Sequence, residues 1–166
     1  AEAQARQHDA TPGAPLNVTT TLVNRSRAAV SFEGAVMEGM WSDPLPNPAA
    51  KLAYNQPVTL DYTKPVPSTQ PYSQPYWLVK PPSDSVYTVD DQRLVGLPDT
   101  PAVARVRLRF SLDGVPFELV RPVQYRYAGR AEGERERPLE IVPAVAVNLP
   151  ESVAIFPSPA ARHVHV

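Results

Sequence analysis

Apolar and polar positions alternate with a period of two in several separate stretches of this chain. Leu16, Val18, Thr20 and Leu22 alternate with Asn17, Thr19 and Thr21. One face of an extended strand is thereby apolar and the other wet. Asn24 to Arg27 breaks the pattern, and Ala28 to Phe32 predicts a short second strand that Gly34 ends or bends into a bulge. Val58, Leu60 and Tyr62 repeat the alternation. The clearest signal is Ala102 to Tyr127. There Ala104, Val106, Leu108, Phe110 and Leu112 share one face, and Arg105, Arg107 and Arg109 share the other. Asp113-Gly114 supplies a two-residue hairpin turn, since both residues tolerate the positive φ it requires. The turn pairs Leu112 with Val115, so Phe110 faces Phe117, Leu108 faces Leu119 and Arg109 faces Glu118. Pro116 and Pro122 then fall at non-hydrogen-bonded pairs. This puts the second strand at a sheet edge, or removes its other neighbour at those points. Arg121 falls on the inward face opposite Val106, which predicts that the hairpin end twists open or carries a bulge.

Beyond Tyr127 the charges of Arg130 to Arg137 alternate around Gly129 and Gly133, the pattern of a solvated turn or linker. Leu139 to Leu149 alternates once more, and Ser152 to Phe156 and His163 to Val166 each begin an extended run. No amphipathic helix longer than about two turns is legible. Many short strands with turns between them predict an all-β fold, an antiparallel β-sandwich.

Proline sharpens that picture. The chain has 166 residues, of which 21 are proline, against the roughly 5% of an average protein. So much proline excludes a helical bundle and disfavours a doubly wound α/β fold, because it interrupts helix interiors and central strands alike. Lys64 to Pro82 is a long Pro-rich loop carrying Tyr72, Tyr76 and Trp77. Loops of that length inside a domain are functional or tied down by packing. The hydrophobic share of 43% is enough for a core, and the net charge of −1 gives no footprint for nucleic acid. No run approaches the roughly 18 apolar residues of a membrane span. The expected organisation is a flexible lead-in over 1–13, a sandwich domain over 14–137, and over 138–166 a connector strand and the start of a following domain. The opening Ala-Glu suggests a processed or excised piece.

Catalytic constellations are sparse. Cysteine is absent, and the histidines are His8, His163 and His165, all near the termini. His163 and His165 share a strand face but lack a nearby third ligand, so strand-end surface residues are the expectation. Asp84, Asp90 and Asp91 read as turn residues, and phosphate-binding glycine motifs are missing. The Arg105, Arg107 and Arg109 stripe reads as a charged solvent face that Glu118 partly neutralises. The aromatic loop is the better binding candidate, because Tyr72, Tyr76 and Trp77 on a stiffened segment can stack on sugar rings. Against that stands their use as a plug at the open end of the sandwich.

Tyr72-Ser73-Gln74-Pro75-Tyr76-Trp77-Leu78, Tyr87 to Gln92 and Leu94 to Pro98 form an ordered series with Pro122 to Tyr127, Gly133-Glu134 and Arg137 to Pro143. The series resembles the region downstream of the catalytic domain in large bacterial LmbE-like (PIG-L-type) deacetylases, from about Gly13 to Phe156. The family's zinc motif, of the Ala-His-Pro-Asp-Asp-Glu type, is absent. No catalytic or metal residue is therefore carried over, and no cofactor is expected. The resemblance implies a non-catalytic, immunoglobulin-like accessory sandwich of a larger hydrolase, in an extracytoplasmic setting. Its expected partners are neighbouring domains of the parent chain. Carbohydrate bound at Tyr72, Tyr76 and Trp77 is the alternative. Val153, Ile155 and Phe156 are expected to favour self-association through a C-terminal strand.

Overall fold

A computed structural model describes residues 1–45, 49–84, 86–147 and 158 of the chain. The fold is all-β: among the described residues the only helical piece is a 3-10 turn at Tyr76–Leu78. The strands are β1 (Glu2–Ala5), β2 (Asp9–Ala10), β3 (Pro15–Val23), β4 (Val30–Gly39), β5 (Asp43–Pro44) and β6 (Ala50–Leu52). They continue as β7 (Pro57–Pro65), β8 (Ala104–Leu112), β9 (Val115–Gly129), β10 (Gly133–Pro138) and β11 (Glu140–Ile141). One sheet runs in the order β5-β4-β8-β9-β1-β3-β7, with β6 also on β4 and β10 also on β9. A separate pair joins β2 to β11.

β9 gives the sheet its shape. Its first half pairs with β8 as far as Pro122, and its second half pairs with β1 and β10 from Val123 onward. The sheet curls through this long strand and closes on one core, where Leu16, Leu22, Phe32, Met37, Val106 and Val123 meet. The alternation in β3 is realised as expected, with Leu16, Val18, Thr20 and Leu22 all buried.

The sheet is mixed rather than antiparallel throughout. β1 runs parallel to β9, pairing Ala3 with Val123 and Gln4 with Gln124, and β11 runs parallel to β2. Parallel neighbours need a long crossover connection. A strand at the start of the chain meets that need trivially, since about two-thirds of the polypeptide lies between it and β9.

Residues 1–13 are therefore not a flexible lead-in. Ala3 and Ala5 are buried at 4% and 5% exposure, with β3 on one side of β1 and β9 on the other. Alanine's small apolar surface gives a weak period-2 signal, which is why composition alone reads the segment as featureless. The same holds for Gly133–Pro138, which reads as a linker but is strand β10, exposed along its whole length. The core also runs past residue 137, because Leu139 and Ile141 are buried. Residues 148–157 and 159–166, with the expected C-terminal strand and its self-association, lie outside the described residues.

The central hairpin has the expected register, from Leu112 opposite Val115 to Arg105 opposite Pro122, without a bulge. Arg121 stays in line opposite Val106, and its Nε donates to the Ala1 carbonyl at 3.2 Å. The first half of β9 has no second neighbour, as the two prolines require. The bulge expected near Gly34 is present as a register shift between Phe32 and Gly34, and β4 continues beyond it to Gly39. At the turn, Asp113 has φ 49° and Gly114 φ 84°. A Cβ on Gly114 would meet nothing within 4 Å, so the cost of a side chain there is conformational alone. Gly114→Val is expected to lower stability by about 1 kcal/mol or more, because a β-branched residue is strained at positive φ. Thermal unfolding checks this.

Candidate functional site

The segment from Val66 to Val103 is held at a few points. Val66 donates to the Ala14 carbonyl and accepts from Gly13 N–H, which ties its start to the β3 entry. Ser73 is locked to β11: its N–H donates to the Ile141 carbonyl, and its hydroxyl accepts from Ile141 N–H, both at 2.8 Å. Pro75 then opens the 3-10 turn, where its carbonyl accepts from Leu78 N–H at 2.9 Å. Tyr76 is fixed from two sides. Its N–H donates to Thr100 Oγ1 at 3.0 Å, and its phenol donates to the Leu97 carbonyl at 3.1 Å.

This brings Tyr76 and Trp77 together, but as a corner. Their ring centroids lie 4.9 Å apart and their planes meet at 89°. Two perpendicular rings cannot both lie flat on one sugar, so the pair is not a two-ring platform. Both are half-buried, neither core plug nor open surface. Tyr72 is 55% exposed and has no aromatic partner among the described residues. Behind Ser73, a small cavity of about 220 Å³ is lined by Thr100, Leu139 and Ile141 among others. It falls below the roughly 300–1,000 Å³ typical of ligand pockets.

The loop acids have separate cationic partners. Lys80 reaches Asp90 at 2.6 Å, and Arg93 grips both oxygens of Asp91. The Arg93 side chain and then its backbone N–H hold the Asp91 carboxyl down at about 2. Among the described residues no group of three or more His, Cys, Asp or Glu side chains converges as a metal site. His163 and His165 lie outside the described residues. Among the described residues no helix is long and apolar enough to cross a membrane.

The arginine stripe is divided. Arg107, its centre, donates from Nε to Glu38 at 2.6 Å and from Nη1 to Glu118 at 2.9 Å. Arg105 and Arg109 remain exposed. Glu38 had no sequence signal as a partner, because only the β4–β8 register brings it across 69 positions. A second pairing joins Asp43 to Lys64 and to the Tyr62 hydroxyl, 3.1 Å away.

Both carboxylates titrate below their ordinary range. The hydrogen bond from Arg107 lowers Glu38, and that from Lys64, then Tyr62, lowers Asp43. Burial, aided by the bond to Asp43, pushes the Tyr62 phenol up to about 12. For the acids the unfolded chain binds protons more readily than the folded one. Their contribution is present above the ordinary carboxylate range, near pH ~4, and lost as pH falls through the lowered folded values. For Tyr62 the sign reverses: the contribution is present below about pH 10 and lost as pH rises through about 12. The melting temperature is expected to fall on both flanks, and Glu38→Gln is expected to flatten the acid side.

No family model, no curated protein and no solved structure matches this chain.

Proposed function

We propose that the chain is a non-catalytic, immunoglobulin-like β-sandwich domain of a larger LmbE-like (PIG-L-type) N-acetylglucosaminyl deacetylase-like hydrolase. It packs on neighbouring domains and supports or positions the catalytic one, in an extracytoplasmic setting. The observation that carries this reading is the apolar surface of the long loop. Tyr72, Leu78, Val79, Val86, Tyr87 and Val95 are each 44–63% exposed, all within one segment. Single exposed apolar residues are ordinary, but a succession of them on one pinned loop supports the reading of a face that a neighbouring domain covers. The same segment carries the Tyr72–Leu78 and Tyr87–Gln92 motifs of the resemblance.

A second reading, a carbohydrate-binding module, draws on the exposed Tyr72 and the half-exposed corner of Tyr76 and Trp77. One variant separates the two. Trp77→Ala is expected to weaken capture of the chain by an immobilised LmbE-like catalytic domain, with little change in melting temperature. If no capture occurs and the same substitution instead abolishes binding of soluble neutral glycans, the module reading replaces the accessory one. Zinc-dependent deacetylation by the chain alone, lost on chelation, would overturn both.

A further inference from the structure

The β9–β10 ribbon extends beyond the core and sorts its side chains onto two opposite faces. Directly opposed residues in an antiparallel pair share a face. Arg126 faces Glu136 and Ala128 faces Glu134 on one side, while Tyr125 faces Arg137 and Tyr127 faces Arg135 on the other. The first face is acidic: Arg126 sits among Glu2 at 2.8 Å, Glu134 at 3.2 Å and Glu136 at 2.9 Å. With three carboxylates on one guanidinium, that face carries excess negative charge.

The second face is aromatic and cationic. The Tyr125 and Tyr127 rings lie 6.1 Å apart, within 10° of parallel, and both are half-exposed. His8 packs on Tyr125 at 5.7 Å, with its Nδ1 3.8 Å from Asp9. Arg135 is shared with Glu132 at 3.4 Å, whereas Arg137 has no ion-pair partner among the described residues.

We infer that the Tyr125, Tyr127, Arg135 and Arg137 face binds a carboxylated saccharide, a uronate-bearing glycan. Parallel aromatic rings offer faces for the apolar side of a pyranose, and the fork of a guanidinium matches a carboxylate in two hydrogen bonds. Charge complementarity selects the ligand: Arg137, without an ion pair among the described residues, favours a sugar acid over a neutral sugar. A nucleic acid strand is disfavoured, because the acidic face on the same ribbon and the net charge of −1 repel a polyanion of that charge density. The inference does not depend on the accessory-domain reading and uses none of its loop residues.

Titration calorimetry at physiological salt tests it on the intact chain, with galacturonate oligomers, cello-oligosaccharides of equal length and oligo(dT) as probes. Galacturonate oligomers are expected to bind, and neutral oligomers to bind roughly tenfold more weakly or not at all, as the loss of one charge-assisted fork implies. Arg137→Gln and Tyr127→Ala are each expected to weaken uronate binding by a similar factor. Should Tyr127→Ala lower the melting temperature, Arg137→Gln on the exposed strand decides. Absence of uronate binding at millimolar sugar, equal affinity for neutral oligomers, preference for oligo(dT), or an Arg137→Gln variant that binds like the parent would each overturn the inference.

Discussion

Deletion of residues 1–6 is expected to abolish cooperative folding. β1 holds the middle of the sheet, pairing four residues of β3 and two of β9. Within the sheet ladder the β3–β7 pair is joined to the other strands only through it, since the sheet order offers those two strands no other neighbour. Removing it exposes two ladder edges and opens the core beside Leu16, Val18 and Val123, whose exposures are at most 1%. Each unpaired backbone group that stays buried costs about 1–3 kcal/mol, and the total stability of a domain is only about 5–15 kcal/mol. Several such groups, together with the lost apolar contacts, exceed that margin. Circular-dichroism melting checks the outcome. A deletion variant that melts cooperatively near the parent temperature would show that the segment is dispensable.

Gly39→Ala is expected to destabilise the fold by about 2–5 kcal/mol, combining backbone strain with overpacking. Gly39 ends β4 opposite Ala104 with φ 108°, a region L side chains rarely adopt. A Cβ there would stand 2.2 Å from the Val103 carbonyl oxygen, a backbone atom that cannot swing aside. The same carbonyl accepts from Met40 N–H at 3.2 Å, so relieving the clash also strains a hydrogen bond. Gly114→Ala is the control, because its φ is also positive but nothing lies within 4 Å. Only the conformational part of the cost should remain there, about 1 kcal/mol. Equal losses in the two variants would mean that the close approach at Val103 is not sterically limiting.

Local chemistry alone determined a good deal of this protein. The Asp113-Gly114 turn and the alternation on either side of it specify the β8–β9 hairpin, its register and the open edge that Pro116 and Pro122 require. Nothing distant is needed, because a two-residue turn leaves one way to pair its flanks. β3 and β7 were legible for a similar reason, as large apolar side chains at every second position leave no other face to bury. Tertiary structure decided the rest. β1 carries only alanine on its buried face and gains its place from the gap between β3 and β9. β10 has no apolar face, so its ladder with β9 makes it a strand where its charges alone suggest a linker. Glu38 meets Arg107, and Tyr125 meets Arg137, only after strands far apart or differently bent come into register. Hydrophobic periodicity encodes which face of a segment is dry, but which polar side chain stands beside which is a property of strand pairing.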